Sequence, residues 1–242
     1  AAPEKPRFFY CIPNFQNPTG KTMSLVKRRG VLALARKYGV PVLEDDPYGE
    51  LRFAGAPVPS IKSLDEGNSV IYAASFSKIL CPGMRLAFCA CDEKLARSMV
   101  VAKQGSDVHT NVWAQRVCAE LLRTMDMDAH ICAVSAMYGR KAALMAQLLR
   151  EKCPQLTFEA PQGGMFLWAV LPQAVRVPEF VQACLEHRLA VIPGSAFYVD
   201  GEAPCQDIRL NFSTPSEDAI RRGVDIMAQV LKKLIGQSVC SV

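Results

Sequence analysis

Ser69-Val70-Ile71-Tyr72-Ala73-Ala74-Ser75-Phe76-Ser77-Lys78 reads as a short buried strand that ends in a polar turn. Apolar and small residues run from Val70 to Ala74, the pattern of a short apolar strand. Two hydroxyls and a lysine follow at once. The same plan recurs upstream, where the apolar run Val40 to Glu44 ends in Glu44-Asp45-Asp46-Pro47-Tyr48. Further back, Arg7 to Ile12 (with Phe8, Phe9, Tyr10 and Ile12) predicts another buried strand, ahead of a loop rich in proline and asparagine from Pro13 to Gly20. Ser24 is placed to cap a helix that runs to Tyr38 with Gly39 as its stop. Leu86 to Cys91 predicts a further strand, and helices are expected from about Glu93 and Asn111. Strand, helix and strand in alternation predict an α/β sheet of largely parallel order.

The second half has a different texture. A long helix is expected from about Asp128 to Lys152, ended by Pro154. Short strands follow at Leu156–Glu159, Met165–Val170, Leu189–Ile192 and Asp207–Phe212, around a helix at Glu179–His187. A closing helix spans about Ser216 to Ile235. This mix predicts a smaller α+β domain, with the boundary inside the long helix, so that residues 1–140 and 141–242 form the two parts.

Composition narrows the function. Half of the 242 residues are hydrophobic, 21% are charged and the net charge is +5, the balance of a globular chain. No run of like charges forms a basic arm, so a nucleic-acid partner is not expected. No apolar run is long enough for a transmembrane helix, and no membrane partner is expected. The ten cysteines are scattered singly, mostly within apolar runs, without a Cys-x-x-Cys pair. Buried, reduced thiols in a cytoplasmic protein are the expectation. His109, His130 and His187 lie far apart, and no metal site is expected.

Four clusters carry chemical potential, at or just beyond predicted strand ends, where open α/β sheets bind ligands. Asn17-Pro18-Thr19-Gly20 is by itself only a turn. Three acids at Glu44, Asp45 and Asp46 are unusual after an apolar strand, because a buried carboxylate needs a cation or hydrogen bonds to stay ionised; a solvated strand end is the plain alternative. Ser75, Ser77 and Lys78 offer hydroxyls beside an amine, although most lysines in loops serve only solubility. Nearby, Gly83 is expected to permit an unusual backbone and Arg85 to pair with a phosphate. Arg209, among apolar neighbours in Asp207-Ile208-Arg209-Leu210-Asn211-Phe212, would need an anion if buried, or else lies on a strand's polar face.

Together, and in this order, these clusters resemble the class I/II aminotransferases of the fold-type I pyridoxal-phosphate enzymes, in particular the 2-aminoadipate and kynurenine aminotransferase branch. Pro13-Asn14-Phe15-Gln16-Asn17-Pro18-Thr19-Gly20, Glu44-Asp45-Asp46-Pro47-Tyr48, Ser75-Phe76-Ser77-Lys78, Gly163-Gly164-Met165-Phe166 and Pro193-Gly194-Ser195-Ala196-Phe197-Tyr198 carry the resemblance, which extends over essentially the whole chain. It implies an aspartate-aminotransferase-like fold: the remainder of a large cofactor-binding domain, then a small C-terminal domain. It also implies a chain that is the C-terminal part of a longer protein, because the family places a phosphate loop, a ring-stacking aromatic and several strands ahead of this segment.

The resemblance implies roles. Lys78 would carry pyridoxal 5'-phosphate as an imine and, once displaced, move the substrate's α-proton. Asp45, three residues before Tyr48 as in the family's pattern, would keep the pyridine nitrogen protonated, so that the ring accepts carbanion electrons. Tyr48 and Asn17 would hydrogen-bond the ring's phenolic oxygen. Ser75, Ser77 and Arg85 would hold the phosphate. Arg209, with Asn17 near the substrate, would grip the α-carboxylate. Gly163 and Gly164 are expected to let the substrate chain approach the backbone. The implied reaction moves an amino group between an L-amino acid and a 2-oxo acid such as 2-oxoglutarate, in a homodimer. Three rivals use the same motifs: a β-lyase, synthase or decarboxylase on this scaffold, the effector domain of a winged-helix transcription regulator, and a catalytically dead fragment or partner subunit that keeps the fold's motifs.

Overall fold

In a computed structural model of the chain, which describes residues 4–201 and 203–239, the elements divide into two compact units. One comprises the chain through Asn14 and Lys21–Ser135; the other comprises Phe15–Gly20 and the chain from Ala136 onward.

The first unit is built on β1 (Phe9–Cys11), α1 (Leu25–Tyr38), β2 (Val42–Asp45), β3 (Val70–Ser75) and β4 (Ala87–Ala90). The described strands lie in the order β1-β2-β3-β4, with β1, β2 and β3 parallel and β4 antiparallel to β3. The parallel order expected from the alternation therefore holds for three strands and reverses at the fourth. The connection from Phe76 to Leu86 holds only the short 3-10 turn Pro82–Met84 rather than a crossover helix, and so short a connection returns the chain antiparallel. α1 begins at Ser24, whose side chain accepts from the Lys27 amide, and stops at Gly39 in the left-handed conformation, as the caps predict. It buries Leu32 and Ala35 against Cys11, Val42, Ile61 and Val70. Helices α2 (Glu93–Ser106) and α3 (Val112–Thr124) follow, and α4 (Met127–Lys152) runs through the division at Ser135.

One expectation fails here. The strand predicted at Arg7–Ile12 is short, and Phe8, Phe9 and Tyr10 are about half exposed. β1 is an edge strand with one neighbour, so its aromatic run is not covered on both faces as a central strand's would be.

The second unit contains β5 (Thr157–Phe158), β6 (Phe166–Val170), α5 (Val177–Glu186), β7 (Ile192–Pro193), β8 (Asp207–Asn211) and α6 (Glu217–Val239). Its strands pair antiparallel in the order β5-β6-β8-β7. Strand alternation is clear on β8: Ile208 and Leu210 are buried, while Asp207, Arg209 and Asn211 share the other, half-exposed face. Phe180 and Cys184 of α5 and Ile220, Val224, Met227 and Leu231 of α6 are buried, and α5 and α6 pack together.

The described cysteines are free thiols, but Cys81, Cys89 and Cys132 are exposed, against the expectation of burial. Cys89 lies on the edge strand β4, whose four residues are all exposed. Among the described residues no helix is long and apolar enough to cross a membrane. Among them, too, no cluster of histidine, cysteine and acidic residues could hold a metal ion.

Candidate functional site

The first unit gathers its chemistry at the ends of two neighbouring parallel strands. β2 ends at Asp45 and β3 at Ser75, with Asp45 in register with Ala73. The three consecutive acids have separate fates, because alternation sends neighbours to opposite faces. Glu44 is fully buried and accepts from the amides of Ile61 at 2.8 Å and Lys62 at 2.7 Å. Burial pushes its carboxyl above the ordinary carboxylate range, and those two amides pull against the rise. Asp46 accepts from Asn14 Nδ2 at 3.0 Å on both oxygens and from the Tyr72 hydroxyl at 3.2 Å. Asn14 in turn accepts from the fully buried Arg28 at 2.6 Å. Arg28 also donates to the carbonyls of Pro13, Met23 and Pro59 at 3.1, 2.9 and 3.0 Å. Burial lowers the pKa of this guanidinium.

Glu44 and Asp46 thus brace loops. Asp45 is the strand-end acid with a different neighbour: its Oδ2 accepts from the Tyr10 hydroxyl at 2.6 Å. Burial, then this hydrogen bond, pushes the Tyr10 hydroxyl well above its ordinary pKa. Tyr48 is buried, and its carbonyl accepts from the Leu51 amide.

Lys78 is half-exposed on a turn fixed from several sides. Ser75 Oγ accepts from the Ser77 amide at 3.0 Å and donates to the Leu86 carbonyl at 3.4 Å. The Phe76 amide donates to Leu86, and the Leu80 amide to Phe76. Phe76 and Leu80 pack against buried Leu86, Ala114 and Cys118, and His130 Nε2 lies 2.8 Å from the Ile79 carbonyl. Arg85 is exposed and donates to the Pro82 carbonyl at 3.2 Å. The unusual backbone expected at Gly83 sits instead on Arg85, whose φ is 54°. The left-handed conformation closes the 3-10 turn Pro82–Met84, a role that falls on the residue just past the turn.

In the second unit, the structure joins two motifs that stand 192 residues apart. Arg209 Nη1 donates to Asn17 Oδ1 at 2.7 Å. Its guanidinium carbon lies 4.4 Å from the Phe166 ring centre and 4.9 Å from that of Phe197, within cation–π range. With Asn17 Oδ1 engaged by Arg209, the amide's N–H2 end is the one left to donate elsewhere.

The Asn17 loop, with a cis Asn17–Pro18 peptide, sits on glycines. Phe15 is fully buried at φ 46°. A Cβ on Gly163 would clash with the Cζ edge of the Phe15 ring, one on Gly164 would lie 2.6 Å from Phe15 Cβ, and one on Gly20 would lie 2.8 Å from the Phe166 carbonyl oxygen. The space where side chains would stand at Gly163 and Gly164 is filled by Phe15 of the same chain, so these glycines dock the loop.

Sequence reading passed over Tyr10, Arg28, Asn14, Tyr72 and His130. An arginine in the first turn of a helix carries no local sign of burial; most of its partners lie in distant loops. Tyr10 looked like core because it stood in an aromatic run.

A donor set of amine, strand-end carboxylate, hydroxyls on a fixed turn and an adjacent guanidinium fits a phosphorylated pyridine aldehyde. Asp45 suits a protonated ring nitrogen, since its recorded partner is a neutral hydroxyl rather than a cation.

Comparison with known proteins agrees with that fit. The profile of the aminotransferase class I and II family matches residues 2–227. The aromatic-amino-acid aminotransferase 1 of Thermococcus litoralis is 36% identical over 231 residues, 95% of this chain and 55% of that protein. The 2-aminoadipate transaminase of Thermus thermophilus is 36% identical over 96% of this chain and 59% of that protein. A kynurenine aminotransferase structure from Pyrococcus horikoshii superposes with a TM-score of 0.90 at 37% identity, covering 95% of this chain and 57% of that one. The chain thus spans between 55% and 59% of the length of these relatives.

Proposed function

Because the chain belongs to the aminotransferase class I and II family, with a fold-type I α/β architecture, we propose that it is part of a pyridoxal-phosphate-dependent aminotransferase that moves an amino group between an L-amino acid and a 2-oxo acid such as 2-oxoglutarate. The observation that carries this reading is the placement of Lys78 on a braced turn after β3 with Asp45 at the end of neighbouring β2. Residues 1–140 are the remainder of the cofactor-binding domain in this reading, and 141–242 the small domain.

Bound pyridoxal phosphate supplies an electron sink that makes the substrate α-proton acidic. This chain's residues do the rest. Lys78 would hold the cofactor and move the proton at the substrate α-carbon. Asp45 would favour the protonated form of the ring nitrogen. Tyr48 and Asn17 would serve the phenolic oxygen, with Arg209 leaving the Asn17 N–H2 end to donate. Ser75, Ser77 and Arg85 would hold the phosphate, on a turn kept still by the Ser75–Leu86 bracing. Arg209 would take the α-carboxylate and so orient the α-proton for removal.

We further propose a cytoplasmic, homodimeric enzyme of amino-acid biosynthesis, acting on small molecules without a nucleic-acid partner. The free thiols among the described cysteines support a reducing compartment.

The test is spectroscopic. Mixed with pyridoxal phosphate, the protein is expected to gain a near-visible absorption band that Lys78→Ala lacks, and to transfer amino groups to 2-oxoglutarate from a panel of amino acids. A band that persists unchanged in Lys78→Ala would overturn the assignment of Lys78. Binding without transfer to any 2-oxo acid would favour a lyase or synthase on the same scaffold.

A further inference from the structure

We propose that Asp207 is a positioning residue for the carboxylate clamp, acting through Tyr198 and Trp168 on Arg209. This rests on the reading of Arg209 as the group that takes the substrate carboxylate.

Asp207 and Arg209 lie two apart on β8 and share its half-exposed face. Each Asp207 oxygen accepts from a neutral donor: Oδ1 from Trp168 Nε1 at 3.1 Å, Oδ2 from the Tyr198 hydroxyl at 2.7 Å. Trp168 stands on β6 directly opposite Arg209. Tyr198 closes the 3-10 turn Gly194–Phe197. That turn is seated on Asp207: a Cβ at Gly194 would lie 2.7 Å from Asp207 Cβ and 3.1 Å from the Trp168 ring. Within the turn, the Phe197 ring meets Trp168 edge-on at 6.1 Å and lies against the Arg209 guanidinium.

One carboxylate therefore ties β6, β8 and the 193–198 turn together, and the turn supplies a ring that flanks the arginine. A long arginine side chain is costly to immobilise, and a guanidinium held in place forms its paired bonds to a carboxylate with less further ordering. Asp207→Asn keeps the shape but puts an N–H2 where one donor must be accepted. Tyr198→Phe removes a single bond and leaves the ring.

The experiment uses the holoenzyme in a Trp113→Phe background. Trp113 is exposed on α3, and the sequence holds two tryptophans, so Trp168 then reports alone. Titration with 2-oxoglutarate is expected to change Trp168 emission, whether or not turnover is observed. Asp207→Asn should shift the starting emission and weaken the titration midpoint and the KM for 2-oxoglutarate about tenfold, the scale of one lost hydrogen bond. Tyr198→Phe should weaken them about threefold on the same scale. In both variants kcat and the cofactor band should hold. An unchanged midpoint in both variants would make the cluster merely structural and overturn the proposal. So would a parent protein that never titrates. Loss of the cofactor band in the parent, with the Trp168 titration intact, would instead sink the aminotransferase reading and leave the clamp standing.

Discussion

The two units hold their chemical groups in different ways. In the first, Asp45 and Lys78 ride on strand ends of one sheet; the Lys78 turn is braced largely by nearby residues, as in the Ser75–Ser77 and Ser75–Leu86 bonds, and the acids around Asp45 by donors from other segments of the same unit. In the second, Arg209 depends on Asn17 from the far end of the sequence and on Phe166 and Phe197 from other elements. The first arrangement tolerates loss of the reactive group, because the brace lies beside it rather than in it. The second is assembled by close packing, so its weak points are residues that carry no chemistry.

The sharpest contrast should come from Lys78→Ala. Turnover is expected to fall by at least about 10²–10⁴-fold, the scale of a lost proton-transfer group, while stability stays within about 0.5 kcal/mol, as for a surface change. Steady-state rates and thermal melts check both halves. A large loss of stability would show that the turn is held by Lys78 itself.

Arg28→Ala should do the reverse. It strands Asn14 Oδ1 and the carbonyls of Met23 and Pro59, while the Pro13 carbonyl keeps the Met23 amide. Each unsatisfied group costs about 1–3 kcal/mol, so a destabilisation of about 3 kcal/mol or more is expected in urea melts. Gly163→Ala is the counterpart in the second unit. Its Cβ would clash with the Cζ edge of the Phe15 ring, and overpacking of this kind costs about 1–3 kcal/mol. Phe15→Ala in the same chain should remove the clash. If Gly163→Ala alone proved neutral, docking of the Asn17 loop would not depend on glycine.

This contrast also explains what the sequence could disclose. The caps of α1 and the lysine turn rest largely on neighbours in the chain, and they and the strand ends at Asp45 and Ser75 show as local patterns, although the partners of Glu44, Asp45 and Asp46 come from distant segments. The exposed aromatics of β1 were misread because an edge and a central strand share the same apolar composition; only the number of neighbouring strands separates them. Gly163 and Gly164 mark a close approach without naming what approaches, so Phe15 as their neighbour is visible only in the fold. The Asn17–Arg209 bond and the burial of Arg28 depend on partners set by tertiary folding. Hydrophobic periodicity does not encode such partners.

The smallest expected effect concerns Glu44, which separates bracing acids from chemical ones. Burial raises its folded-state pKa above the ordinary 4.5. The folded chain therefore holds this proton more tightly than the unfolded chain does. Its contribution to stability is full below the unfolded pKa and is lost as pH rises through the folded one. Glu44→Gln cannot ionise, and its amide oxygen can still accept from the Ile61 amide. Melting temperature measured from acidic to neutral pH should therefore decline less steeply in Glu44→Gln than in the parent. An identical slope would show that the two amides from Ile61 and Lys62 hold the ionised carboxylate fully, with burial outweighed, and that Glu44 enters the fold already charged.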